Sequence, residues 1–241
     1  MTRKALLLLA ALLAGCGGGD APVRSATASA PVTVIAAGDS ITQRTGLCSP
    51  GLSVLQCGAD ETIASQSWVT YLPDATAGAL LLIANEGRGG DTCTPQAPWA
   101  SGIHAGQGRG LIDRLAPIIA ARPSLVLLLI GINDVALYAV TPADVARCVA
   151  DARSQLQAAG IAVVVLTYPP IMPGTPVYAG IADAPQRVAA LNAALRSIGA
   201  ADTAGAWPAW AARWYTADGV HSTPAGAVQL ALRAAAAVGA R

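Results

Sequence analysis

The stretch Val32-Thr33-Val34-Ile35-Ala36-Ala37-Gly38-Asp39-Ser40-Ile41-Thr42 opens with six residues that are all β-branched or small, then breaks into a polar turn. A largely apolar run of that length, without polar alternation, fits a strand covered on both faces, as in a parallel sheet flanked by helices. Three more such runs lie at 80–84, 125–130 and 161–167, and a weaker fifth at 200–204. Helical stretches separate them at 68–72, 110–121, 142–159 and 185–198, with 224–238 closing the chain. Their ends carry capping signals. Thr141-Pro142-Ala143-Asp144 reads as an N-cap, a proline at the first helical position and an acid at the third, and Gly160 stands where a helix-ending glycine belongs. Thr223-Pro224 repeats the start signal. Strand and helix in alternation imply right-handed crossovers and an α/β fold, a three-layer α/β/α sandwich around a mainly parallel sheet. Residues 169–185 read as a long proline-rich loop.

Composition narrows the functional classes. The chain has 241 residues, a formal net charge of +1 and 12% charged residues, with no basic cluster, so nucleic-acid binding is not expected. Hydrophobic residues make up 54%, much of it alanine, and Phe is absent. Past the N-terminus no uninterrupted apolar run approaches the roughly 20 residues of a membrane span.

The N-terminus reads as an export signal. Arg3 and Lys4 precede an apolar run at 5–14 that is too short to span, and small residues follow. Leu13-Ala14-Gly15-Cys16 resembles the bacterial lipobox, in which cleavage precedes the cysteine and the cysteine is then acylated. The expected organisation is a signal peptide over 1–15, a flexible tether over 16–30 and a folded domain over 31–241. That places the protein in the bacterial cell envelope, anchored to the membrane through lipid on Cys16, facing the periplasm or in the outer membrane.

Export also bears on the other cysteines. Besides Cys16 there are Cys48, Cys57, Cys93 and Cys148, an even number in an oxidising compartment, for which three connectivities exist. Cys48–Cys57, closing a local loop, and Cys93–Cys148, tying two loops or helix ends, is the expected pairing. The chain has no Cys-x-x-Cys and no His-Glu-x-x-His, and only two histidines, so no metal site is expected.

In open parallel sheets ligands bind beyond the carboxyl ends of the strands. Gly38-Asp39-Ser40 follows the first strand, Asn85-Glu86-Gly87-Arg88-Gly89-Gly90-Asp91-Thr92 the second and Gly131-Ile132-Asn133-Asp134 the third, while Asp218-Gly219-Val220-His221 precedes the last helix. These clusters resemble, in order and context, the Ser, Gly, Asn and His blocks of the SGNH (GDSL-type) hydrolases, and the resemblance spans the folded domain. No Gly-x-Ser-x-Gly elbow of an α/β-hydrolase is present.

The resemblance implies an SGNH/flavodoxin-like fold and a serine esterase without metal or organic cofactor. Ser40 would be the nucleophile, His221 its base and Asp218 the partner that orients the imidazole. The oxyanion hole would combine the backbone N–H groups of Ser40 and Gly90 with the side-chain amide of Asn133. Gly90 is favoured because it directly precedes Asp91-Thr92; Gly87 and Gly89 are the alternatives in the same run. The expected partners are an ester substrate, whether small molecule, lipid or acylated carbohydrate, and the membrane through the anchor, with the protein acting as a monomer. Each residue also has a plain structural role open to it: Ser40 as a helix cap, His221 as a cap of the last helix, Asn133-Asp134 as an Asx-turn and Gly89-Gly90 as a loop. Asp39 and Asp134 are expected to hold loop backbone, and His104 to be a solvated loop histidine. Arg44 and Arg88 lie near the expected mouth, and Trp99, Trp207, Trp210 and Trp214 are core or groove-lining. Two alternatives to hydrolysis stand beside it: acyl transfer to an alcohol, and a non-catalytic envelope lipoprotein that retains the fold. The loops expected to line the groove are 43–67, 94–110 and 169–185.

Overall fold

In the computed structural model, which describes residues 30–43, 67–100, 105–205, 214 and 218–239, the run at 32–37 becomes strand β1 (Val32–Gly38) near the middle of a parallel sheet. The other strands are β2 (Leu80–Gly87), β3 (Leu125–Leu129) and β4 (Ala162–Val165), in the order β2-β1-β3-β4. Every pairing is parallel, so each connection crosses over the sheet, which is the α/β layout expected from the alternation of runs. Val34, Ile35, Ala36 and Ala37 and all of β3 are buried, as strands covered on both faces should be.

The helices form two groups, one on each side of the sheet. The four-residue α1 (Ser40–Gln43) follows β1 directly. A 3-10 turn (Trp68–Tyr71), α2 (Leu72–Ala75) and the C-terminal α7 (Pro224–Gly239) pack on one another. The second group holds a 3-10 turn (Leu111–Arg114), α3 (Leu115–Ala120), α4 (Ile132–Leu137), α5 (Pro142–Ala158) and α6 (Ala184–Ser197). The expected caps form: Thr141 Oγ1 accepts from Asp144 N–H at 3.2 Å, Thr223 Oγ1 accepts from Gly226 N–H at 3.3 Å, and Gly160 takes φ +80°. No helix among the described residues is long and apolar enough to cross a membrane.

Four expectations need correction. The strand at 80–84 is an edge strand, so Leu81 and Ile83 are exposed; a register shift between Val34 and Ile35 of β1 leaves Ile83 out of the pairing. The fifth strand is only a single bridge, Leu166 to Ala201. Its extension is pre-empted by side chains, because Thr167 Oγ1 takes Ala204 N–H and Asp202 Oδ1 takes Gly205 N–H, leaving those groups unavailable to a ladder. The stretch at 110–121 starts as a 3-10 turn and becomes α-helical only at Leu115; Pro117 has no N–H to bond back to Asp113. Finally, the Cys93–Cys148 disulfide forms, but Cys148 sits in the middle of α5 and not at a helix end. Cys16, Cys48 and Cys57 lie outside the described residues.

Candidate active site

The chain turns sharply where β1 meets α1. A Cβ on Gly38 would lie 2.3 Å from Leu129 O and 2.5 Å from Thr42 Oγ1, so only glycine fits between β3 and the new turn. Asp39 then caps the turn: its Oδ1 accepts from Ile41 N–H at 3.0 Å and its carbonyl from Gln43 N–H at 2.9 Å. The cap is therefore Asp39, and among the described residues the Ser40 side chain has no backbone partner and is directed at His221. Ser40 Oγ lies 2.8 Å from His221 Nε2, and His221 Nδ1 lies 2.5 Å from Asp218 Oδ2.

The segment carrying Asp218 and His221 is held by the loop after β4. Met172 N–H donates to Gly219 O at 2.9 Å and Thr175 Oγ1 donates to Asp218 O, while Gly219 takes φ +73°. Asp218 Oδ1 accepts from the N–H groups of Val220 and His221, both at 2.9 Å, so one carboxylate oxygen closes the turn and the other faces the imidazole. Burial raises the Asp218 pKa, but the hydrogen bonds from the His221 ring and from these two N–H groups outweigh it and hold the carboxyl well below the usual range.

Asn133 is tied to the residue that follows Gly90. The Gly131-Ile132-Asn133-Asp134 cluster leads into the first turn of α4, where Asn133 is buried and donates from Nδ2 to Asp91 O at 2.8 Å. Tyr178 OH approaches Asn133 Oδ1 at 3.4 Å, so both ends of the amide are oriented. Gly90 adopts φ +73°, a conformation that a side chain would strain, and a Cβ on neighbouring Gly89 would come within 3.9 Å of Ser40 Cβ. Among the described residues, nothing accepts a hydrogen bond from Ser40 N–H or Gly90 N–H.

Buried carboxyls surround the site. Asp39 is fully buried, its Oδ2 accepts from Tyr168 OH at 2.5 Å, and burial pushes its pKa up to about 7, helped by the charges of Asp91 and Asp134 and opposed by the bonds from Tyr168 and Ile41. Burial also raises the Asp134 pKa against its hydrogen bonds; it holds Cys93 N–H at 2.8 Å, Thr94 N–H at 2.9 Å and the Thr94 hydroxyl at 2.5 Å. Tyr168 and Tyr178 are both pushed up, by burial first and then by the Asp39 charge. Among the described residues no cluster of His, Cys, Asp and Glu could hold a metal ion.

Residues 36–228 match the GDSL-like Lipase/Acylhydrolase family. The chain belongs to that family. It is accordingly an ester-hydrolysing serine hydrolase. Solved structures agree in fold: a GDSL-like lipase from Bacteroides thetaiotaomicron is 21% identical over 87% of this chain and 89% of its own, with a TM-score of 0.58. A carbohydrate acetylesterase family member from Sinorhizobium meliloti is 19% identical, covering 86% of this chain and 97% of its own, with a TM-score of 0.64. The inhibitor-bound aryl esterase of M. smegmatis is 18% identical, covering 87% and 99%, also with a TM-score of 0.64. No curated protein matches the chain.

The structure thus brings Ser40, Asp218, His221, Gly90 and Asn133 together. Arg88, from the same family block as Gly90, is tied to Gln107 at 3.1 Å, and Trp214 is buried in the core. Trp99 lies half-buried beside Gly90, with the Arg109 guanidinium 4.8 Å from its ring. Arg44, His104, Trp207 and Trp210 lie outside the described residues. Three participants had not been foreseen: Tyr168, Tyr178 and Arg114. A signal existed for Arg114, which shares the helical spacing of the buried Leu111, Leu115 and Ile118. For the two tyrosines, in and just before a proline-rich loop, no periodicity was available.

Proposed function

We propose that this protein hydrolyses a carboxylic ester through an acyl intermediate on Ser40. His221 Nε2 takes the Ser40 hydroxyl proton as Oγ attacks the ester carbonyl, and the carbonyl π pair moves onto oxygen. The tetrahedral oxyanion is met by the N–H groups of Ser40 and Gly90 and by Asn133 Nδ2. His221, now an imidazolium stabilised by Asp218, gives its proton to the departing alcohol as the C–O bond breaks. Water then repeats the sequence on the acyl-serine and releases the acid. The single observation that carries this reading is the continuous contact from Ser40 Oγ to His221 Nε2 at 2.8 Å and from His221 Nδ1 to Asp218 Oδ2 at 2.5 Å. It also weighs against a non-catalytic lipoprotein, for which nothing would keep a buried histidine aimed at a serine. The tautomer follows from the network: Asp218 is ionised and can only accept, so Nδ1 carries the proton and Nε2 is the base.

The substrate is an ester of the lipase/lysophospholipase or carbohydrate O-acetyl type, and the enzyme acts in the bacterial cell envelope, held by lipid on Cys16. The Leu13-Ala14-Gly15-Cys16 pattern supports the location, and the carbohydrate acetylesterase likeness supports the O-acetyl class. Replacement of Ser40 tests the chemistry: Ser40→Ala should fold normally, lose about a thousandfold or more in ester turnover, and escape labelling by an organophosphonate that modifies the wild type at Ser40. Substantial turnover by the purified variant would refute the proposal.

A further inference from the structure

A single buried guanidinium reaches two strand ends and the loop that carries Gly90. Arg114 ends the 3-10 turn Leu111–Arg114 and is 6% exposed. Its Nε and Nη2 contact Asp91 Oδ2 at 2.7 and 2.6 Å, its Nη1 donates to Glu86 O at 2.6 Å, and its Nη2 also donates to Gly38 O at 3.0 Å. We propose that Arg114 is a positioning residue for the oxyanion hole, setting the loop of Gly90 and the amide of Asn133 against the strand end that carries Ser40. The inference rests on the acyl-serine reading above.

The connections run through Asp91. This residue directly follows Gly90, its carboxylate is fully buried, and its carbonyl accepts the hydrogen bond from Asn133 Nδ2 at 2.8 Å. Asp91 Oδ1 also accepts from Gly110 N–H at 3.0 Å, so its side chain is held from two directions. An amide nitrogen has two hydrogens; Asp91 O holds one and thereby aims the other. Arg114 thus fixes the peptide that follows Gly90 N–H and, one bond further, the donor on Asn133. On its other side it grips Gly38 O, two residues before Ser40, and Glu86 O near the end of β2. Loss of the fork would leave the three donors free to drift relative to one another, and a displacement of about 1 Å at such a site costs on the order of a hundredfold in rate. The charge acts in the same direction. An unneutralised Asp91 carboxylate beside the forming oxyanion would oppose the negative charge that the donors stabilise. Lysine keeps the charge, but a single ammonium cannot match a planar fork that serves a carboxylate and two carbonyls at once.

Arg114→Lys tests the inference, with kcat and KM measured on p-nitrophenyl acetate per active site, and sites counted by complete phosphonylation. The expected result is a kcat lower by about 10- to 100-fold, KM within about threefold of wild type, and a rate of Ser40 phosphonylation reduced in parallel, since that reaction also builds negative charge on oxygen. A purely structural role would lower the melting temperature and the number of countable sites while leaving kcat per site near wild type, and that result would overturn the inference. So would a raised KM with unchanged kcat, which would make Arg114 a contributor to substrate affinity. Should Arg114→Lys fail to fold, Asp91→Ala, which removes the carboxylate that Arg114 grips but keeps the backbone carbonyl that holds Asn133 Nδ2, is measured in the same way; wild-type kcat per site in that variant overturns the inference. Failure of the underlying reading looks different: wild-type enzyme would not be phosphonylated at Ser40, and Ser40→Ala would remain active.

Discussion

Replacing Asp39 with asparagine should stabilise the protein at pH 8 and do almost nothing near pH 4. Asp39 is fully buried, and in the folded protein its pKa is pushed up to about 7, against 3.8 for an ordinary aspartate. Between those values the folded state binds a proton that the unfolded chain does not, so the sign is set: stability from this group is complete below about pH 4 and is lost as pH rises toward 7. A difference of about three pH units, at about 1.4 kcal/mol each, amounts to roughly 4 kcal/mol by pH 8. The asparagine of Asp39→Asn cannot ionise. It keeps an oxygen for Ile41 N–H, the donor that Asp39 has at 3.0 Å, and its NH2 donates to the Tyr168 oxygen, reversing the 2.5 Å bond that Asp39 accepts from the Tyr168 hydroxyl. Wild-type melts alone would mix this effect with others: Asp134 shifts in the same direction, while Asp218, depressed in the folded state, contributes stability that is lost on acidification. The difference between variant and wild type isolates Asp39. Urea unfolding followed by circular dichroism at pH 4, 6 and 8 should show that difference growing with pH, with a melting temperature higher by on the order of 10 °C at pH 8. A flat difference, or a variant less stable at pH 8, would mean that Asp39 is ionised in the folded protein at neutral pH and that its burial is compensated in some other way.

Removing one oxyanion donor in Asn133→Ala should lower kcat by about two to three orders of magnitude with little change in KM, read from steady-state kinetics on a p-nitrophenyl ester. The Cys93–Cys148 disulfide closes a loop with a sequence separation of 55, for which chain entropy predicts about 4 kcal/mol of stabilisation; urea unfolding of Cys93→Ser/Cys148→Ser beside wild type measures it, and equal stability would contradict the entropic argument. Cys16→Ser should move the protein from the detergent-extracted membrane fraction to the soluble fraction with kcat/KM unchanged; retention in the membrane would refute the lipid anchor.

The strands were legible because parallel-sheet strands are apolar along their whole length, and length with flanking glycine separates them from helices. The run at 125–130 shows this, since all of β3 proved buried. The run at 80–84 looks the same in sequence, yet β2 lies at the edge, because edge or centre depends on which strands pair and not on the composition of one. The candidate site was legible for a different reason. Four short polar clusters at strand ends, in a recognisable order, constrain one another even though each is weak by itself. Tyr178 carries no such pattern; its hydroxyl meets Asn133 from 45 positions away, through a loop whose course depends on the folded core beneath it.

The sequence by itself determined the class of fold and the caps at Thr141 and Thr223, which depend on periodicity and on local hydrogen-bonding chemistry, while Ser40, Asn133, Asp218 and His221 were marked as candidates by the order of their clusters and its resemblance to a family. Only the tertiary structure decided the 2.8 Å contact between Ser40 and His221, the cap role of Asp39 in place of Ser40, and the Arg114 fork joining Gly38, Glu86 and Asp91. The physical reason is range. Periodicity and capping operate within a few residues, whereas a buried charge or an imidazole takes its partners from segments that become neighbours only when the sheet has assembled and the core has excluded water.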